Sequence, residues 1–169
     1  KKKDWDNSTP GTEYWDELFR VSKDQVVWGV NYFNDKRLAG GRIFWDKVVP
    51  ENYTKSKGEL AFKSKGIGVD KIEYAWHGMI QHDMKNKETR IHPTQKPVGL
   101  YKRILHKYAK ADSKILDTHM GGGSIAIACH YAGHHLTACE IDVDYYTDAC
   151  ERIKSETRQL DFFNNQQEN

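Results

Sequence analysis

Asp117-Thr118-His119-Met120-Gly121-Gly122-Gly123-Ser124 follows a short apolar strand candidate, Lys114 to Leu116, and opens a helix candidate rich in Ala and Ile, Ser124 to Tyr131. Three successive glycines let a backbone turn sharply and approach a ligand closely. The helix behind them offers unpaired N–H groups and the positive end of its dipole. A second strand candidate, Leu136 to Cys139, ends at Glu140, about 20 residues after the loop, where nucleotide-type folds place a carboxylate that accepts from ribose hydroxyls. Loop and carboxylate together describe one ribose-binding βαβ unit. The loop does not fit G-x-G-x-x-G, and no G-x-x-x-x-G-K-[ST] occurs, so a different ribose-bearing cofactor is required.

The rest of the carboxy-terminal part supports parallel architecture. Leu100, Tyr101, Ile104, Leu105 and Tyr108 have helical spacing after Pro97, Gly133 stops the loop helix, and a last helix runs from about Tyr145 to Leu160 before a tail from Asn164. Helix, strand, helix, strand, helix is the signature of a parallel sheet covered by helices. Upstream, Thr12 to Ser22 reads as a helix with Thr12 as its N-cap, and Gln25 to Val30 and Arg42 to Lys47 read as strands. Val48 to Ile72 is lysine-, serine- and glycine-rich and reads as a loop-bearing excursion. Lys71 to Trp76 recovers a strand signal, and His77 to Arg90 reads as a polar connection.

Composition sets broad limits. A chain of 169 residues with 38% hydrophobic and 30% charged residues suits one globular domain with one substantial core. No apolar run approaches a membrane span and no signal segment opens the chain, so we expect no membrane partner and a cytoplasmic site. Cys129, Cys139 and Cys150 form no C-x-x-C pair and are expected to be buried free thiols. No metal site is expected: Gly133 separates His130 from His134 and His135, which read as surface or helix-end residues. The net charge of +2 conceals an asymmetry. Residues 1–110 carry 22 Lys and Arg against 14 Asp and Glu, net +8, and residues 111–169 carry 4 against 10, net −6. The basic part, including Lys1-Lys2-Lys3, Lys85, Lys87, Arg90 and Lys96, would attract an anionic polymer.

The loop resembles the Asp-x-Phe-x-Gly-Ser-Gly-Thr/Ser loop of amino-group DNA methyltransferases. His92-Pro93-Thr94-Gln95-Lys96-Pro97 is similar to the block before that loop in the permuted β group. Ala138 to Tyr146, with Ala149 and Arg152, is similar to the family's ribose-binding strand and next helix. Glu13-Tyr14-Trp15, Leu18 to Lys23 and Val27 to Phe33 resemble the region after the catalytic motif in phage-type members. The resemblance implies an α/β, Rossmann-like methyltransferase fold, mostly parallel with helices on both faces, over a single domain of residues 1–169. Residues 12–47 would follow the catalytic motif, about 48–90 would hold target recognition, and 91–160 the cofactor. It also implies S-adenosyl-L-methionine as cofactor and double-stranded DNA with a flipped base as partner, a homodimer being left open. The implied cofactor residues are His92, Thr94, Gln95, Lys96, Asp117, Met120, Gly121, Gly122, Gly123, Ser124, Glu140 and Ile141. Glu140 would take the ribose hydroxyls, Ile141 the adenine, and Asp117 the methionine end, with the His92 block near the methionine carboxylate. Tyr32 and Phe33 are candidates for the target pocket.

Two departures stand out. Gly122 replaces the usual serine, and His119 the common Phe. The Asp/Asn/Ser-Pro-Pro-aromatic tetrapeptide that holds the target amino group is absent, so no catalytic residue is assigned and an amino-terminal segment is expected to be missing. The implied activity is methyl transfer to a base amino group, adenine N6 before cytosine N4. A catalytically inactive DNA- or cofactor-binding module, and a methyltransferase for RNA or a small molecule, remain alternatives.

Overall fold

The computed structural model describes residues 8–164, so the Lys1-Lys2-Lys3 opening and the tail beyond Asn164 lie outside the described residues. The chain forms two compact units, Lys1–Lys87 and Glu88–Asn169.

In the first unit, α1 (Thr12–Val21) is followed by β1 (Val26–Trp28), β2 (Gly41–Asp46), β3 (Gly58–Lys63), β4 (Val69–Glu73) and a small antiparallel pair, β5 (Trp76–His77) and β6 (Ile80–Gln81). Gly11, not Thr12, occupies the N-cap of α1, without a side-chain cap. The four larger strands form one sheet in the order β1-β3-β2-β4. On β2, Gly41, Ile43 and Trp45 are buried and alternate with half-buried residues, the period-2 pattern of a strand. Trp45 donates its indole N–H to the Tyr74 carbonyl at 2.9 Å, so its one polar atom is satisfied inside the core. Trp15 and Leu18 of α1 join Val30, Leu38 and Phe62 in a second cluster.

The expectation of a mostly parallel sheet is corrected here. β3 runs antiparallel to β1 and β2, and only β4 runs parallel to β2. The physical reason lies in the connections: residues 47–57 and 64–68 contain no helix, and return connections without a crossover helix favour antiparallel neighbours. β3 itself lies inside the stretch that reads as a loop-bearing excursion. Its Ala61, Phe62 and Lys63 are buried, Lys63 with its ammonium 2.5 Å from the Asp70 carboxylate. Phe33, a pocket candidate, packs edge-on against Trp15 at 5.1 Å, in the core, whereas Tyr32 is exposed.

In the second unit, α2 (Val98–Tyr108), β7 (Lys114–Asp117), α3 (Ser124–Ala132), β8 (His135–Ala138) and α4 (Val143–Asn164) follow in the expected alternation. β7 and β8 pair in parallel from Lys114↔His135 to Asp117↔Ala138. Ile115 and Leu136 pack against a core of Val98, Leu105, Ile125, Ile127, Ala128 and Cys129, joined by Ile153 of α4. Helices on both faces are not found for this pair. Lys114, Leu116, His135 and Thr137 alternate with the packed residues and are exposed, so the described helices cover one face. Cys129 is buried, and burial pushes its thiol up to about 11, whereas Cys139 and Cys150 are exposed free thiols rather than buried ones. Among the described residues no helix is long and apolar enough to cross a membrane.

The connection from β3 to β4 passes directly over the start of β2. A Cβ on Gly41 would lie 2.4 Å from the Gly66 carbonyl oxygen, and Arg42 donates its N–H to the Gly68 carbonyl at 3.0 Å. Gly41→Ala is therefore expected to cost about 1–3 kcal/mol by chemical denaturation, since backbone must move to admit the methyl group. Gly68→Ala, where a Cβ meets nothing within 4 Å, serves as the control and should stay within about 0.5 kcal/mol of the parent.

Candidate functional site

Parallel strands deliver the residues that follow them to the same end of the sheet, which is where ligands bind in α/β folds. Beyond β7 and β8 the ladder continues into the loop: Cys139 N–H donates to the Asp117 carbonyl at 2.8 Å, and Met120 N–H to the Cys139 carbonyl at 2.8 Å. The loop then turns through Gly121 (φ +53°) and Gly123 (φ +73°), left-handed conformations that side chains rarely adopt. Gly123 is also the N-cap of α3 and contributes no capping side chain. Met120 and Ser124 are buried at either end of the glycines.

Glu140 joins the two strand exits. Its Oε2 accepts the Gly121 N–H at 2.8 Å and its Oε1 accepts the Asp142 N–H at 3.0 Å. Asp142 in turn accepts from the N–H groups of Asp144 and Tyr145, capping α4 two residues earlier than its sequence pattern suggests. Beside this carboxylate the Ile141 side chain is 82% exposed, an apolar surface open to a ligand.

The His92 block closes on the glycines. The His92 ring is buried, meets the Tyr145 ring edge-on at 4.3 Å, and would lie 3.4 Å from a Cβ on Gly121. Its Nδ1 faces both the N–H and the hydroxyl of the exposed Thr94, at 3.3 and 3.1 Å. Burial pushes the ring below its ordinary value, with the Glu140 and Asp142 charges pulling upward and Lys96 pulling downward. Gln95 is fixed at both ends of its amide, accepting from Ile91 N–H and donating to the Thr89 carbonyl, each at 3.0 Å. Its Oε1 sits 2.6 Å from where a Cβ on Gly122 would stand. The glycine that replaces the usual serine is thus the residue that fits against this glutamine.

Asp117 sits at the end of β7, at the start of the loop. Burial pushes its carboxyl above the usual range, while the His119 N–H, 3.0 Å from Oδ1, and the charges of His119 and Lys96 pull it down. The structure therefore gathers His92, Gln95, Asp117, Met120, Gly121 to Gly123 and Glu140 around one strand end. Lys96 bears on it through its charge, and Thr94 and Ile141 lie at its exposed margin. Asp142 and Tyr145 join the group without having been singled out individually. The signal for Asp142 was a short acidic side chain immediately before a helix. An open depression lined by Lys114, Ile115, His135, Leu136 and Thr137 lies along the β7–β8 pair and includes none of these loop residues.

The chain is similar to known DNA methylases in sequence and in fold. A family model for N6/N4 methyltransferases, described as DNA methylase, matches residues 5–151. Type II methyltransferase M.HpaI of Haemophilus parainfluenzae is 32% identical over 76 residues, which are 45% of this chain and 24% of that protein, so the chain spans about a quarter of this curated relative. The crystal structure of the M1.HpyAVI–SAM complex superposes with a TM-score of 0.51 at 19% identity, covering 76% of this chain and 74% of that one, a likeness of fold.

Two outcomes follow from the geometry. Gly122→Ala should destabilise by about 1–3 kcal/mol, and less in a Gln95→Ala background, a coupling that denaturation of the four-member cycle measures. For Asp117 the folded carboxyl titrates above its unfolded value. The stability contributed by its protonated form is present below the unfolded value and is lost as pH rises through the folded one. Asp117→Asn should thus gain on the parent chain as pH is raised from about 4 to about 8, read as denaturation midpoints.

Proposed function

The chain belongs to the N6/N4 family of DNA methylases, and from that premise we propose that it serves as an S-adenosylmethionine-dependent methyltransferase for an exocyclic amino group of DNA, with adenine N6 as the target. The observation that carries the cofactor assignment is the Glu140 carboxylate held 2.8 Å from the Gly121 N–H at the joint exit of two parallel strands. The residues present fit such a group. A carboxylate acceptor and an exposed Ile141 beside it suit a flat ligand bearing hydroxyls, and the crowded Gly122 and Gly123 keep the loop backbone close to this end of the strands.

When bound, the cofactor supplies an electrophilic methyl group on a sulfonium centre. Glu140 would accept from the ribose hydroxyls, and Ile141 would cover the adenine ring. Asp117 would face the methionine end, where a cationic ammonium offsets the cost of keeping its buried carboxylate ionised. His92, Thr94, Gln95 and Lys96 would hold the methionine carboxylate and the loop around it. Transfer to a neutral amino nitrogen needs no covalent intermediate, so the chain's contribution is positioning and electrostatics. The base must leave the duplex stack to reach the methyl group.

The block order, with the region resembling the post-catalytic segment ahead of the cofactor loop, supports the permuted β arrangement of phage-type enzymes. On the same order, residues about 48–90 would hold target recognition. The net charge of +8 over residues 1–110 suits a DNA partner.

Calorimetric titration with S-adenosylmethionine tests the cofactor assignment. The chain should bind, and Glu140→Ala should bind about 1–3 kcal/mol more weakly, the loss of a hydrogen-bonded carboxylate. No binding by the unmodified chain would overturn the proposal. Mass spectrometry of DNA incubated with cofactor and a form of the protein that carries the Pro-Pro-aromatic segment should reveal N6-methyladenine. N4-methylcytosine in its place would overturn the choice of base.

A further inference from the structure

Arg152, on α4, is buried and its guanidinium is engaged on every side. Nη1 donates to the Gly122 carbonyl at 2.6 Å and to the Ser124 hydroxyl at 2.9 Å. Nη2 donates to Glu88 Oε2 at 2.8 Å, and Nε to Glu156 Oε1 at 3.0 Å. The Glu88 carboxylate also accepts the N–H of Val98, the first residue of α2, at 3.0 and 3.2 Å.

That last bond closes residues 88–98 into a loop around the turn that carries His92 and Gln95. Arg152 then ties the base of this loop to the middle glycine of Gly121-Gly122-Gly123. The two segments that meet at the candidate cofactor site are therefore also joined by hydrogen bonds through one side chain, Arg152.

Electrostatics argues that this placement serves geometry. A cation beside the first residues of α3 sits at the positive end of the helix dipole, where it is unfavourable. Glu88 and Glu156 offset that cost, and burial pushes the Glu88 carboxyl up even as Arg152 and the Val98 N–H pull it down. What the arrangement gains is a fixed peptide plane in the part of the chain with the greatest backbone freedom. A Gly122 carbonyl held toward α4 cannot swing toward a ligand lying on the loop. Only a planar fork with several donors can hold a carbonyl, a hydroxyl and two carboxylates at once, which an ammonium cannot do.

We propose that Arg152, set in place by Glu88, is a positioning residue of the cofactor loop: it fixes the Gly122 peptide and couples the glycines to the His92–Gln95 turn. This rests on the cofactor reading above and goes beyond it by assigning loop shape to a residue that does not touch the ligand.

The test pairs two readouts on the chain, Arg152→Lys and Glu88→Gln, with circular dichroism to establish folding. The first is amide hydrogen exchange without ligand, where Arg152→Lys should accelerate exchange at residues 121–124 relative to the interior of α3. The second is titration with S-adenosylmethionine at a temperature where the variants are folded. Arg152→Lys should bind about tenfold or more weakly, and Glu88→Gln weaker than the parent by a smaller factor. A merely structural brace would lower the melting temperature while leaving affinity and loop exchange unchanged, and that result overturns the proposal. If Arg152→Lys does not fold, the isosteric Glu88→Gln decides by the same two readouts. Absence of binding by the parent chain would overturn the cofactor reading instead, and the exchange result would still decide whether Arg152 holds the loop.

Discussion

The candidate site depends on the in-register parallel pairing of Lys114–Asp117 with His135–Ala138. Because both strands point the same way, Asp117 and Glu140 emerge at one end, and the hydrogen bonds from Cys139 and Met120 carry the ladder on into the loop. A slip of one residue in β8 would turn Leu136 out of the α2–α3 core and bring His135 or Thr137 inward. The register that packs Ile115 and Leu136 therefore also sets which carboxylate meets the Gly121 amide. Packing and site geometry are one constraint at this point.

Close approach is the second determinant. Gly122 stands against the Gln95 amide, and a Cβ on Gly123 would meet Ile153 at 2.9 Å and Ala149 at 3.4 Å. The loop is thus pressed between a turn on one side and α4 on the other, with no room for side chains. Gln95 cannot simply withdraw, since both ends of its amide are bonded to backbone. The absence of Cβ atoms brings the loop backbone within hydrogen-bonding reach of Arg152 and Glu140.

The carboxy-terminal unit was largely legible in the sequence because its signals are local. Glycines flank a helix start, Gly133 adopts the left-handed conformation that ends α3, and strand and helix periods alternate over short stretches. The amino-terminal unit was less legible because its determinants are distant in sequence. Composition assigns Lys63 to a solvated excursion, yet Asp70, seven residues on, neutralises it inside the sheet. Gly41 lies just before the strand that the sequence predicts, and its role, to let the Gly66 carbonyl cross over β2, depends on a residue 25 positions away. Exposure of Cys139 and Cys150 follows from an uncovered sheet face and an outer helix face, which residue type alone does not encode. Of the site residues, Arg152 was visible as part of a similar block, but its function is carried by partners 28, 30 and 64 residues away.

Two half-buried carboxyls in the same unit are compensated differently. Glu88 is burdened by burial but meets Arg152 and the Val98 N–H, so its cost is offset within the fold. Asp117 receives one backbone N–H and only the more distant charges of His119 and Lys96, with Glu140 opposing them. Burial therefore disfavours its ionised form. The fold completes one carboxylate with its own arginine, and under the proposed cofactor reading the other would be completed by the cationic end of the ligand. Affinity for that ligand would then rise as Asp117 ionises, while the stability of the ligand-free chain falls.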